Sequence, residues 1–285
     1  CKFHQKKDFI LNDGYYFRKN DSRMIKRYRC SHCQKRFSSA TFSLAYRQKK
    51  RRINHLLKNL LSSGVSMRRA AILLKIHRKT VKRKVDFLAK KSRIEHHNFL
   101  ETLKINKVQH MQFDDLITIE HTKLKPLSVS LAIDENNRRI LGIEVSQIPA
   151  FGKLAAFSRK KYGYRKNTHK KAMNKLFFKL KDIISSKGII ETDEHKQYPG
   201  MIKKYFPSVE HKRYLGGRSC IAGQGELKKL HYDPLFKLNH TCAMLRANVN
   251  RLIRKTWCTT KDPHMLQKHL QIYMSYHNQN VCKNL

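Results

Sequence analysis

The stretch QFDDLIT, residues Gln112–Thr118, places two carboxylates side by side inside an apolar run. The flanking side chains have the pattern of a short buried strand: Met111, Phe113, Leu116 and Ile117. A carboxylate in such a place is costly unless a base or a metal ion compensates its charge. Because alternation along a strand puts Asp114 on the opposite face from Phe113 and Asp115, we predict that Asp114 anchors a divalent metal ion.

The net charge narrows the class of partner. The chain has 62 Lys and Arg against 20 Asp and Glu, which gives a formal net charge of +42. Self-repulsion of this size is tolerable mainly where a polyanion neutralises it, so nucleic acid is the expected partner. The basic residues are spread along the whole chain, and no run approaches the roughly 20 apolar residues of a membrane helix, so we expect no membrane. A ribosomal-type structural protein stays open.

The N-terminal segment carries two pairs of metal-ligand residues. Cys1 and His4 form one pair, and Cys30 and Cys33 form the other. The spacing suits a structural zinc site, and the segment between the pairs is too short and too polar to fold on a core of its own. We therefore predict a zinc ribbon whose β-hairpin turns at Gly14. The chain has seven cysteines, an odd count whose spacing does not suggest a disulfide framework, so we expect a reducing, cytosolic setting.

Two predicted helices with a short turn follow the ribbon. Ser66 is a candidate N-cap for a helix through Leu74, and a second helix begins near Arg78. This is the outline of a helix-turn-helix, whose second helix would enter a major groove. Its predicted DNA contacts are Arg78, Lys79, Thr80, Lys82, Arg83 and Lys84. A solvated helical hairpin is the alternative, but the basic context favours DNA.

From Val108 the pattern changes to strands, in the order β, β, β, α, β, α and then a long helix. This order predicts an α/β domain with a mixed β-sheet flanked by helices. We expect Phe151–Arg165 to be a basic loop, Ser92–Lys107 a helical linker, and Asp233 the N-cap of the long helix. The predicted domains are a zinc ribbon at 1–42, a helix-turn-helix at 43–95 and the α/β domain at 96–285.

A second acid stands at the end of a neighbouring predicted strand. Asp193 is the last residue of the run IETD, and Asp114 is the first of the two acids in QFDDLIT. Paired carboxylates of this kind hold two Mg²⁺ ions in enzymes that transfer phosphoryl groups. The alternatives are a surface acid for Asp114 and a helix N-cap for Asp193, but their combination in an acid-poor chain favours metal binding.

The motifs together resemble a known family. YRCSHCQKRFS, FDDLITIEHTK with SLAID, and LNHTCAMLRANVNRLIRKTWCTTK look like bacterial insertion-sequence transposases with an RNase H-like catalytic domain. The resemblance implies a DDE-type enzyme that uses Mg²⁺ to cut and join DNA, with Asp114 and Asp193 as its first two acids. It also implies terminal inverted repeats and target DNA as partners, a homo-oligomer on the DNA, and a place in the bacterial cytoplasm at the nucleoid.

The third acid of that family is where this sequence departs from the pattern. The family carries a Glu early in the last long helix, seven residues before a basic residue, and counting back from Arg246 gives Asn239. At 100° per residue Asn239 and Arg246 lie near one another, while His240 points to the far side of the apolar stripe. Asn239 is therefore the expected third magnesium ligand, through its amide oxygen.

Alternatives to this assignment remain. His240 is the second candidate for the third catalytic position, and Glu226 and Asp233 are further ones. Arg246 is expected to contact a phosphate oxygen or to orient the site. Because the third acid is missing, a non-catalytic DNA-binding protein derived from a transposase is the alternative function, and a nuclease or junction resolvase on the same fold is a third.

Overall fold

The structure, a computed structural model, describes residues 9–215, 233–253 and 256–282. Backbone contacts divide the chain into two compact units, Cys1–Lys58 and Asn59–Leu285. Within the described ranges, no helix is both long enough and apolar enough to span a lipid bilayer. The candidates Cys1, His4 and Glu226 lie outside the described residues.

The first unit contains a three-stranded antiparallel sheet in the order β1-β2-β3. Its strands are β1 (Ile10–Arg18), β2 (Arg23–Cys30) and β3 (Arg36–Ser38). Gly14 lies inside β1 with a φ of +75°, at a bulge where the register shifts between Asn12 and Tyr15. The prediction that Gly14 forms the hairpin turn is therefore wrong, because its positive φ serves a bulge and the chain reverses at residues 19–22.

Three helices follow: α1 (Ile53–Leu61), α2 (Met67–Leu73) and α3 (Arg78–Leu103). The predicted N-cap is present, because the Ser66 hydroxyl accepts a hydrogen bond from the Arg69 amide at 3.2 Å. Helix α3 continues without interruption through most of the predicted linker, for 26 residues in all. It packs on the last long helix, α8 (Pro263–Tyr276), where Lys268 forms an ion pair with Asp86 at 2.6 Å.

The second unit is built on a five-stranded mixed sheet in the order β6-β5-β4-β7-β8. Its strands are β4 (Val108–Glu120), β5 (Thr122–Asp134), β6 (Ile140–Gln147), β7 (Ile184–Asp193) and β8 (Glu210–Tyr214). Strands β4, β5 and β6 pair antiparallel, whereas β7 pairs parallel to both β4 and β8. The predicted mixed α/β architecture is confirmed, and this sheet is compatible with an RNase H-like fold.

Helices cover both faces of the sheet. In addition to α8 they are α4 (Leu154–Tyr162), α5 (His169–Leu180), α6 (Tyr198–Tyr205) and α7 (Phe236–Asn248). On one face Phe113 stacks edge-to-face on Phe177 of α5 and on Tyr198 of α6. On the other face the buried side chains of β5 pack against α7 and α8, as Leu131 does in one cluster with Leu245. The sheet therefore separates two apolar cores.

Two local predictions for this unit are wrong, and one strand was not predicted. The segment predicted as a basic loop contains helix α4, and the edge strand β8 was not predicted. Asp233 is not the N-cap of α7, because the helix begins at Phe236; the Asp233 carboxylate instead accepts a hydrogen bond from the Leu235 amide at 3.0 Å.

Candidate functional site

The backbone register of β4 and β7 brings the two candidate aspartates together. Gln112 pairs with Glu191 and Phe113 pairs with Thr192 in this parallel ladder, so Asp114 and Asp193 come next on their strands. Neighbouring strands lie about 5 Å apart, and side chains at matched positions project from the same face. The structure thus places both carboxylates on one face of the sheet, at the C-terminal end of β7.

Asp114 is a carboxylate whose charge is poorly compensated. Burial raises its pKa to about 7, and the negative charge of Asp193 adds to this effect. The Asp115 amide, which donates to Asp114 Oδ1 at 2.6 Å, and the positive charge of Arg246 act in the opposite direction. A buried carboxylate beside a second carboxylate forms a site with an affinity for cations.

Helix α7 covers this face of the sheet and carries Arg246. Cys242, one turn before Arg246, is buried, and burial raises its thiol pKa to about 12, with a further contribution from the charge of Asp114. At the start of the helix, the Leu238 amide donates to Gln112 Oε1 at 3.1 Å. Helix α7 therefore runs alongside β4, with its first turn over Gln112 and its later turns beside Asp114.

Gln112 links three elements beneath the site. Its amide nitrogen donates to Glu191 Oε2 and to the Pro234 carbonyl, each at 2.9 Å. Glu191 is itself buried and accepts a hydrogen bond from the Tyr214 hydroxyl at 2.8 Å. Because the first backbone N–H groups of a helix lack partners within it, the bond from Leu238 to Gln112 caps α7 from the sheet.

Sequence reasoning missed Gln112 and Glu191, although a signal was present. Each lies two residues before a candidate aspartate, so strand alternation places all four side chains on one face. Polar residues at that spacing in two otherwise apolar strands indicate a polar network that continues beneath the aspartates.

The two candidates for the third ligand differ in their surroundings. Asn239 lies on the exposed flank of α7 that also carries Arg246, and its amide nitrogen donates to Asp233 Oδ2 at 2.9 Å. His240 lies within 3.0 Å of the guanidinium of Arg138, which stands in the turn between β5 and β6. The structure therefore directs His240 towards that turn. The side chain of Asp233 bonds to Asn239 instead of joining the aspartate pair.

Asp115 lies on the opposite face and serves a different purpose. Its carboxylate accepts hydrogen bonds from His169 Nε2 at 2.6 Å and from the Tyr198 hydroxyl at 2.7 Å. The hydroxyls of Ser128 and Ser130 complete the set at 2.7 and 2.6 Å. Although burial raises the pKa of Asp115, the hydrogen bond and charge of His169 and the serine hydroxyls outweigh it and lower that pKa. Asp115 thus forms a buried ion pair with His169 inside the fold.

The predicted DNA contacts of α3 separate into two groups. The side chains of Arg78, Lys79, Lys82 and Arg83 are exposed, and Thr80 is half-buried. Lys84 is 3% exposed, because it lies on the buried face of α3 with Val81 and Val85. The expectation that Lys84 faces a groove is corrected by this burial.

Two of the four predicted zinc ligands are described. Cys30 is buried and Cys33 is half-buried at a tight turn, in which the Gln34 amide donates to the Cys30 carbonyl at 2.9 Å. A hydrogen bond from the Cys33 backbone N–H lowers the pKa of the Cys30 thiol. A thiol whose anion receives backbone hydrogen bonds is suited to ligating zinc.

Few potential metal ligands lie close together in the described part of the chain. Within residues 9–215, 233–253 and 256–282, no three His, Cys, Asp or Glu side chains converge closely enough to hold a metal ion. The candidate magnesium site therefore has two acids, Asp114 and Asp193, while the side chain of Asn239 on the neighbouring helix is bonded to Asp233. No protein-family model matches the chain, and a comparison with curated proteins gave no match.

Proposed function

We propose that this protein is an insertion-sequence transposase of the DDE type, which cuts DNA at the ends of its element and joins them to target DNA. The observation that supports this most is the matched position of Asp114 and Asp193 on two parallel strands. The sheet order, with three antiparallel strands followed by two parallel ones, is compatible with the RNase H-like domain of such enzymes.

The residues of the site fit magnesium. Asp114 and Asp193 offer hard oxygen ligands on one face, and burial beside a second carboxylate raises the pKa of Asp114, so a bound cation would favour its ionised form. Bound at this pair, Mg²⁺ would polarise the phosphodiester and favour the deprotonated form of the attacking water or 3′-hydroxyl. The Asn239 amide oxygen is the proposed third ligand.

Arg246 has a separate role in the proposed mechanism. It lies on α7 close enough to Asp114 for its charge to lower that carboxyl's pKa. A guanidinium in this place stabilises negative charge that develops on the phosphate oxygens during the displacement. The half-buried position of Arg246 strengthens the interaction, because less water screens it.

The N-terminal elements supply DNA recognition in this proposal. Helices α2 and α3 form the helix-turn-helix, and the exposed basic side chains at the start of α3 contact the terminal inverted repeats. Cys30 and Cys33, with Cys1 and His4, would hold a structural zinc ion. A net charge of +42 favours duplex DNA as the partner, and we propose a homo-oligomer on DNA in the bacterial cytoplasm, at the nucleoid.

The test is metal-dependent cleavage by the full-length protein. The substrate is a supercoiled plasmid that carries the gene together with its flanking DNA, incubated with Mg²⁺ or Mn²⁺. Asp114→Asn and Asp193→Asn should each reduce nicking and strand transfer by about 100-fold or more. Asp182→Asn is the matched control, since Asp182 is an exposed acid at the end of α5. Undiminished cleavage by either site variant would refute the assignment.

A second function has one specific observation in its favour. The third position holds an amide instead of a carboxylate, which weakens metal binding. A non-catalytic DNA-binding protein would retain full affinity for the element ends and show no nicking with any divalent ion. Hydrolysis without strand transfer would instead indicate a nuclease or resolvase.

A further inference from the structure

Helix α4 is unusual because it buries almost nothing. Ser158 is its one buried residue, although an ordinary surface helix buries an apolar stripe. Phe157 is 66% exposed, as is Phe151 just before the helix, and Tyr164 just after it is 83% exposed. Large apolar side chains grouped on the surface indicate a binding surface.

The segment is fixed to the sheet despite its exposure. The Ser158 hydroxyl donates to the Leu124 carbonyl at 2.7 Å. Arg165 donates to Glu120 Oε2 at 2.8 Å and to the Ile148 carbonyl at 3.1 Å. These bonds hold the middle of the helix and the segment after its C-terminal end on the sheet, so Phe157 and Tyr164, the sequence neighbours of Ser158 and Arg165, are presented on a fixed support.

The charge of this segment selects a polyanion. Residues 149–168 contain no Asp or Glu and carry six basic residues: Lys153, Arg159, Lys160, Lys161, Arg165 and Lys166. A cleft of about 660 Å³ opens in this segment, and its lining includes Arg159, Lys160, Tyr164 and Arg165. Aromatic rings interleaved with Lys and Arg are typical of surfaces that bind single-stranded nucleic acid. A second copy of this basic segment would be repelled.

A further exposed aromatic residue, Trp257, lies near the same end of β4. The Thr260 carbonyl accepts a hydrogen bond from the His121 amide at 2.8 Å, and Trp257, three residues earlier, is 82% exposed. Glu120, which holds Arg165, is the preceding residue of the strand. This end of β4 lies six residues from Asp114, about 20 Å along an extended strand.

Resting on the proposed function, we propose that α4 and its flanks form a binding site for unpaired DNA. Phe157 and Tyr164 stack on exposed bases, Trp257 extends the stacking surface, and Arg159 and Lys160 contact the phosphates. The site borders the end of β4 that lies about 20 Å from Asp114 along the strand, so it would hold an unpaired segment of the DNA whose phosphodiester lies at the aspartate pair.

The test is binding of a fluorescein-labelled 20-nucleotide oligothymidine by the full-length protein, with EDTA present and at fixed salt. Phe157→Leu and Tyr164→Leu should each weaken binding about tenfold, because the π-face is lost while apolarity remains. Phe157→Tyr and Tyr164→Phe should keep wild-type affinity. Phe178→Leu on α5 is the matched control, since Phe178 is 61% exposed.

The other arms distinguish alternative occupants. A 20-base-pair duplex should lose less than twofold affinity in the leucine variants; an equal loss on duplex and single strand would overturn the proposal. Unchanged binding of oligothymidine by the leucine variants would also overturn the proposal. So would a result in which these variants lose binding only to phosphatidylglycerol vesicles. Asp114→Asn should bind oligothymidine normally, so failure of cleavage and failure of this site are separable.

Discussion

Asp114 and Asp115 are neighbours in sequence whose carboxylates serve opposite faces of one sheet. The Asp115 amide donates to Asp114 Oδ1 at 2.6 Å, while the Asp115 side chain pairs with His169 on the other side. The first carboxylate has a raised pKa and the second a lowered one. Two adjacent acids therefore make opposite contributions to stability.

Asp114→Asn should stabilise the metal-free protein. The pKa of Asp114 is about 7 in the folded state, against about 4 in the unfolded chain. Folding takes up a proton between these values, so the wild type loses stability relative to the variant as pH rises from 4 to 7. The difference should reach about 2–4 kcal/mol at pH 8. Thermal unfolding of both proteins in EDTA at pH 5 and pH 8 measures this difference in stability. An equal difference at the two pH values would contradict the prediction.

Asp115→Ala should destabilise the fold strongly. The change leaves His169 and Tyr198 buried without their shared partner, which costs about 3–5 kcal/mol. Urea unfolding at pH 7 gives the value. Asp182→Ala, at an exposed position, should remain within about 0.5 kcal/mol of the wild type. A loss of under 1 kcal/mol for Asp115→Ala would show that the pair contributes little.

Gln112→Ala should loosen the start of α7. The variant removes the acceptor of the Leu238 amide and the donor to Glu191, at a cost of about 1–3 kcal/mol. Hydrogen exchange at the Leu238 amide should accelerate at least tenfold, whereas amides in α5 should exchange as before. Gln109→Ala, an exposed neighbour on β4, is the control. Unchanged exchange at Leu238 would rule out the capping role.

His269 should make the protein acid-sensitive. Burial lowers its pKa to about 3, so the folded state holds it neutral while the unfolded chain protonates it below about 6.5. Stability is full above that pH and falls by about 1.4 kcal/mol per unit as pH drops. His269→Leu should flatten the decline in melting temperature between pH 6.5 and 4. The control His264→Gln, at an exposed position, should leave that decline unchanged. If the melting temperature falls with pH equally steeply in both variants, His269 is not the source of the acid sensitivity.

Asn239 and His240 should differ in their effect on cleavage. Asn239→Ala removes the proposed third ligand and should slow Mg²⁺-dependent nicking about tenfold or more. His240→Ala breaks the contact with Arg138, in the turn between β5 and β6, and should change the rate less than about threefold. Single-turnover rates with the plasmid substrate compare the two. The reverse order would make His240 the third group.

The sequence predicted the strands that carry an apolar face and missed elements without one. Strand β8 (Glu210–Tyr214) has no buried residue, and α4 has one, so neither shows a hydrophobic period. The partner of Asp115 was also out of reach, because His169 lies 54 residues away. Lys84 was predictable: three residues after Val81 and four before Leu88, it falls on the buried face of α3.

For the candidate site, too, local sequence patterns predicted some features, whereas others depend on contacts between distant parts of the chain. Alternation along β4 predicted that Asp114 and Asp115 face opposite sides of the sheet, and their contacts confirm that placement; the choice of Asp114 as the metal ligand stays a prediction. The parallel register of β4 and β7, which sets Asp114 beside Asp193, depends on long-range pairing. The contacts of Asn239 and His240 depend on the bounds of α7, which local signals placed two residues too early.

The parallel ladder between β4 and β7 has a consequence for how such a site can change over time. The separation of Asp114 and Asp193 is set by main-chain hydrogen bonds, which every residue type except proline supplies. Substitutions around the pair therefore leave its spacing intact. The proposed third ligand, Asn239, stands on a separate helix, α7, held over β4 through side chains such as Gln112. We expect variation to be tolerated most readily there, at the position where the family that the chain resembles has a glutamate.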